Sequence, residues 1–352
     1  LRRFFGPKTW ILAAGLVLGA LGALLVKFGN PPNMGVCVAC FYRDIAGALG
    51  LDRATAVQYL RPEIIGFVLG GLVSSYAFKE FRARGGSTPL VRFLLGMLMM
   101  IGAMVFLGCP IRATLRLAGG DLNGLTGLAG LAGGVAVGVV MLKRGFSLGR
   151  ATKQITIAGW IMPVFMVVLL VLAFVLPPFI FSSQSGPGSM HAPILISLGA
   201  GLLVGFLAQR ARMCFAGAFR DLIMVKDGYL ITGVVSALLA ALVFNLILGQ
   251  FKLGFEGQPI AHSNHLWNFL GMALLGLAAV LAGGCPLRQT ILSSEGDTDA
   301  ALTVTGLIAG AAFAHNFGLA SSADGPSALG PWAVIAGLAI CLVLGFTMRE
   351  KT

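Results

Sequence analysis

Along the chain, long apolar runs alternate with short polar and basic stretches. Ten of the runs approach the ~17–25 apolar residues that a membrane span requires. They cover 10–28, 62–78, 90–107, 123–142, 155–180, 192–208, 229–249, 266–283, 301–318 and 331–346. A 57% apolar share against 11% charged, with a mean hydropathy of +0.91, excludes an ordinary soluble enzyme. The pattern predicts an all-α polytopic membrane protein. The run after Arg2, Arg3 and Lys8 has no small-residue cleavage site behind it, so it reads as a first span rather than a removable signal.

The net charge of +12 would point to nucleic acid in a soluble protein. Here the basic residues fall between the runs, and membrane orientation accounts for them. With the N-terminus in the cytoplasm, 18 of the 25 Lys and Arg residues lie on the inner side and seven on the outer. Both termini are therefore expected inside, around an even number of spans.

A duplication organises the chain. Cys37-Val-Ala-Cys40 through Arg43-Asp44 matches Cys214-Phe-Ala-Gly217 through Arg220-Asp221. Gly108-Cys109-Pro110-Ile111-Arg112 matches Gly284-Cys285-Pro286-Leu287-Arg288 at the same displacement less one position. In that register Gly120-Asp121 pairs with Gly296-Asp297, and Gly130 and Gly134 pair with Gly306 and Gly310. Five spans per half predict inverted-topology repeats: residues 1–180, a linker 181–191 on the outer side, and residues 192–352 upside down.

The Cys-bearing segments are too polar or too short to span, and they read as re-entrant or broken helices, which need protein or water around their backbone. In each Gly-Cys-Pro, the Gly (Gly108, Gly284) is expected to release the chain from the preceding helix. The Pro (Pro110, Pro286) starts a new one without losing a hydrogen bond. Cys109 and Cys285 then sit at helix N-termini, where the dipole favours an anion, with Arg112 and Arg288 one turn on. A kinked structural helix with a small apolar Cys is the alternative for one copy; two matched copies favour the site. For Arg43 and Arg220, anion attraction at a mouth stands beside simple pairing with Asp44 and Asp221.

Cys40 makes a lone Cys-x-x-Cys, read as a redox or accessory thiol; zinc would need further ligands that the spacing does not supply. Cys341, inside the last run, reads as packing. His191, His262, His265 and His315 show no metal-ligand spacing, and Met97, Met99, Met100 and Met104 read as core filler. No metal or cofactor is expected, no phosphate-binding loop is present, and no nucleic-acid partner is implied.

On its paired Cys motifs, Met213-Cys214 with Arg220-Asp221 and the two Gly-Cys-Pro segments, the chain resembles the YeeE/YedE family of bacterial inner-membrane sulfur-transport proteins. The resemblance implies thiosulfate uptake through a constriction lined by thiols, carried here by Cys109, Cys214 and Cys285; the opposed locations of the motifs place Cys37 nearer the outer mouth. It also implies a TusA-like cytoplasmic sulfur carrier as a partner. The stretch 30–35 with Cys37, Cys40 and Arg61-Pro62-Glu63 looks more like the branch proposed to carry selenium compounds. The competing function is a membrane thiol oxidoreductase relaying electrons through Cys37 and Cys40, which would need thiolates where transport needs neutral thiols.

Overall fold

The computed structural model describes residues 6–349; Arg2, Arg3 and Lys351 of the inner basic set lie outside them. Among the described residues, ten longer helices coincide with the ten apolar runs. In the first half they are α1 (Pro7–Lys27), α3 (Pro62–Ala77), α4 (Pro89–Phe106), α6 (Asn123–Lys143) and α7 (Thr156–Val175). In the second they are α8 (Ile194–Ala211), α10 (Tyr229–Ile247), α11 (His265–Ala282), α13 (Thr298–Asn316) and α14 (Gly330–Thr347). Four short helices interrupt them: α2 (Val38–Ala48), α5 (Pro110–Ala118), α9 (Phe215–Val225) and α12 (Pro286–Ser294). The bounds of α9 repeat those of α2 under the displacement of the duplication, and the bounds of α11 and α12 repeat those of α4 and α5. Strands β1 (Arg84–Gly85) and β2 (Thr152–Lys153) form the one small sheet among the described residues.

Eight helical stretches among the described residues are long and apolar enough to cross a membrane. α3 is shorter at 16 residues, a length of ~24 Å at 1.5 Å per residue. The exterior is apolar: Ile157, Val164, Val171 and Val175 on α7 are exposed, as are Leu239 and Ile247 on α10. The interior holds Asp44, Arg61, Glu63, Arg112 and Arg116, each 0% exposed. Water would reverse that distribution, whereas a hydrocarbon surround produces it.

Packing between the halves is reciprocal. α1 lies along α10 and α3 along α8; α4 lies along α13 and α6 along α11. Under the repeat register each of these pairs is the counterpart of another, and α4 and α11 also pack on one another. α7 and α14 depart from the pattern, α7 against α3 and α12, α14 against α11 and α4.

Small residues permit this approach. A Cβ on Gly130 would stand 2.1 Å from the Phe269 carbonyl oxygen, and one on Gly306 would stand 2.1 Å from that of Phe93, its repeat equivalent. Membrane helices have little hydrophobic drive to associate, so such backbone contact is a main source of their attraction. Gly130→Val should cost at least ~1–3 kcal/mol by overpacking. The check is a lowered unfolding temperature in detergent, with Gly145→Ala, where added bulk meets nothing within 4 Å, as a test of backbone strain alone (φ +88).

Beside the sheet, Glu80 accepts hydrogen bonds from Gln209 Nε2 (2.8 Å) and Arg210 Nη1 (3.0 Å), tying the α3–α4 loop to the end of α8. Burial pushes its carboxyl up, but the bonds from Gln209 and Arg210 outweigh that and hold it below its ordinary value. A depressed folded value means stabilisation present above the ordinary carboxylate range and lost as pH falls through the folded value. The unfolding temperature of Glu80→Gln should therefore fall less steeply than wild type on acidification through the ordinary carboxylate range and on below it.

Candidate functional site: cysteines at four short helices

Each of the four motif cysteines is the N-cap of a short helix: Cys37 of α2, Cys109 of α5, Cys214 of α9 and Cys285 of α12. All four have extended backbone, as an N-cap requires. The capping differs by motif and repeats between halves. Cys37 Sγ accepts from the Cys40 N–H at 3.3 Å, and Cys214 Sγ from the Gly217 N–H at 3.2 Å. Cys109 and Cys285 make no side-chain cap bond, and Pro110 and Pro286 follow at the first helical position.

The structure gathers the sulfurs into two sets, all buried. Cys37 Sγ lies 2.9 Å from Cys40 Sγ and 3.7 Å from Cys109 Sγ. In the other set Cys214 Sγ accepts from the Cys285 N–H at 3.5 Å. Between the helices that carry them, the Tyr42 hydroxyl on α2 meets Thr290 Oγ1 on α12 at 3.1 Å. Cys341 is buried on α14, away from the short helices.

The helix break differs in one respect from the sequence reading. The left-handed residues are Leu107 (φ +63) and its counterpart Gly283 (φ +86), each one position before the glycine of Gly-Cys-Pro. Gly108 and Gly284 supply room instead. A Cβ on Gly108 would stand 2.8 Å from Arg112 Cδ, and one on Gly284 would stand 2.9 Å from Arg288 Cγ. The glycine lets the arginine one turn later fold back over the break.

Arg112 does so completely. It donates to the carbonyls of Leu107, Asn33 (3.0 Å) and Ile260 (2.8 Å), and its Nη1 lies 3.4 Å from Cys40 Sγ. The Leu107 carbonyl, freed by the break, and two loop carbonyls are thereby satisfied inside the protein. Arg288 pairs with Glu295 at 3.3 Å, and Arg220 with Asp221 at 2.8 Å in a half-exposed position. Arg43 donates from Nε and Nη2 to Asp44 Oδ1, and Asp44 Oδ2 accepts from Arg61 Nε at 2.6 Å. Arg61 continues to the carbonyls of Pro187 and Met190 in the connector between the halves.

A cavity of about 450 Å³ lies against this group, walled by Arg43, Leu107, Ile260, His315 and Ser321. His315 Nε2 and Ser321 Oγ are buried without a hydrogen-bond partner among the described residues. Leu107 and Ile260 are two of the three residues whose carbonyls hold Arg112, so the cavity abuts the set of Cys37, Cys40 and Cys109 through that guanidinium. Sequence reasoning passes over His315 and Ser321 because neither has a motif; each acquires meaning only from the loop that brings α13 beside α2. It misses Tyr42 as well. The repeat counterpart of Tyr42 is Phe219, and that departure from the duplication is its only signal. No group of three or more His, Cys, Asp or Glu among the described residues has the geometry of a metal site.

The match to a known family falls on the second half. Residues 210–344 match the family described as Sulphur transport. A protein of Spirochaeta thermophila named Thiosulfate transporter TsuA is 40% identical over 105 residues, 28% of this chain and 31% of that protein. A protein of Escherichia coli K12 with the same name is 31% identical over 107 residues, 30% of each chain. The matched stretch thus spans less than a third of the length of these curated relatives.

Proposed function

We infer that this protein belongs, through both of its repeats, to the YeeE/YedE sulfur-transport family and that it passes a small soft anion of thiosulfate type across the membrane. The observation that carries the reading is the placement of four cysteines as N-caps of four short helices in two matched sets. Four helix N-termini favour negative charge, and a thiol is a weak donor. Such a wall lets an anion shed water without holding it too tightly to leave, as conduction demands.

In this reading the halves are inverted repeats, consistent with their reciprocal packing. Cys37 and Cys109 line the path on the outer side, with Cys40 beside them as an accessory thiol, and Cys214 and Cys285 line it on the inner side. Arg43, with the unpaired polar atoms of His315 and Ser321, draws the anion into the outer cavity. Arg112 holds the broken backbone open beside it, and Arg220 and Arg288 lie toward the inner exit. The basic asymmetry of 18 to seven supports a bacterial inner membrane with both termini cytoplasmic, where a TusA-like carrier could take the sulfur. Selenium compounds are the other soft substrate that the first-half motifs favour.

The test is uptake into proteoliposomes carrying the full chain, with radiolabelled thiosulfate, sulfate and selenite compared. Thiosulfate uptake well above sulfate supports the reading. Equal uptake of all three, or none, removes the soft-anion path. Uptake of selenite alone would move the substrate to selenium.

A further inference from the structure

We propose that Cys37 and Cys40 form a reversible redox modification site, a dithiol that a hydroperoxide closes to a disulfide, thereby withdrawing the outer thiols from the anion path. The closure of transport rests on the thiol-path reading above; the disulfide itself does not.

Cys40 has no structural duty that the fold reveals. The cap of α2 needs only a backbone N–H at that position, and α9 makes the same cap with Gly217. Neither repeat symmetry nor helix formation asks for a second sulfur. Yet Cys40 Sγ stands 2.9 Å from Cys37 Sγ, nearer than Cys109 Sγ at 3.7 Å. Cys37 and Cys40 share one turn of chain, so bonding them requires no movement of one helix against another.

Two further features suit the chemistry. Arg112 Nη1 lies 3.4 Å from Cys40 Sγ, where it can offset the charge of the sulfur once its proton leaves. Arg43, three positions on along the same face of α2, lines the 450 Å³ cavity. Cys40 is buried behind that wall, with the Arg112 guanidinium joining it to Leu107 and Ile260 of the cavity, so a small neutral oxidant in the cavity has one side-chain layer to cross.

The step balances with hydrogen peroxide as the oxidant. The Cys40 sulfur attacks one peroxide oxygen, the O–O bond breaks, and the first water leaves with the thiol's proton, giving a sulfenic acid. Cys37 Sγ then attacks the Cys40 sulfur, the S–O bond breaks, and the hydroxyl leaves with the Cys37 proton as a second water. Two electrons pass from the two sulfurs to the peroxide. A small thiol such as dithiothreitol reverses the bond by exchange, becoming a disulfide itself. In the closed form Cys37 can no longer donate to an anion or lie as a thiol against Cys109.

The experiment uses the full chain in proteoliposomes, treated with hydrogen peroxide, alkylated and mapped by mass spectrometry, with thiosulfate uptake measured in parallel. A Cys37–Cys40 disulfide, loss of most uptake, and recovery of both with dithiothreitol are expected. Cys40→Gly should retain its uptake through the same treatment. A wild-type chain whose peroxide-treated thiols give no Cys37–Cys40 bond overturns the site. A Cys40→Gly chain inhibited as fully as wild type, or a disulfide-bearing wild type with undiminished uptake, overturns the closure. Absence of uptake before any oxidation removes the transport reading instead, and the mapped disulfide still decides the modification site.

Discussion

Replacing Cys109 or Cys285 by alanine should cut thiosulfate uptake in proteoliposomes about five- to 150-fold, the effect of ~1–3 kcal/mol for a polar group left without its donor in a desolvated passage. Both residues are N-caps whose sulfur makes no cap bond, so the backbone of α5 and α12 does not depend on them. Loss of uptake at unchanged protein yield and unfolding temperature would therefore report the path rather than the fold. Serine at either position keeps a hydroxyl donor and should recover part of the loss. Cys341→Ala, away from the short helices on α14, should be silent. Uptake that survives alanine at both positions at once would remove Cys109 and Cys285 from the path and leave it to Cys37 and Cys214, whose sulfurs accept the cap bonds of α2 and α9 and keep their S–H groups as donors.

Much of this arrangement was legible in the chain. Apolar runs of span length located ten helices to within five residues at each end, since only a helix carries so long an unbroken apolar run through hydrocarbon. The near-constant displacement between the two halves placed the four cysteines at matching helix starts, because Gly-Cys-Pro encodes a break and a restart locally. What the chain hid was non-local. That Cys37 would touch Cys109 depends on how the loop 28–37 folds back, with Asn30 bonded to Glu63 and to the Gly35 carbonyl. That Leu107 takes the left-handed conformation while Gly108 makes room for Arg112 is a division of roles that Gly-Cys-Pro does not spell out. The meeting of His315 and Ser321 with Arg43 joins segments from near opposite ends of the chain, and no spacing rule reaches that far.

The matched Arg-Asp pairs look alike in sequence and should behave very differently. Asp44 is 0% exposed and is the shared partner of Arg43 and Arg61, whose side chains are 4% and 0% exposed. Removing its carboxylate leaves two guanidinium groups buried with one counter-charge gone, a loss that typically costs ~3–5 kcal/mol. Asp44→Asn should consequently leave little folded protein in the membrane, and any that is purified should unfold at a much lower temperature. Asp221 pairs only with Arg220 among the described residues, at side-chain exposures of 23% and 31%, so water takes up what the carboxylate relinquishes. Asp221→Asn should cost no more than ~1 kcal/mol. Thermal unfolding of the two variants in one detergent decides the matter. Equal stability of both would mean that Asp44 does not hold the buried pair together, and that Arg43 and Arg61 find their counter-charge elsewhere.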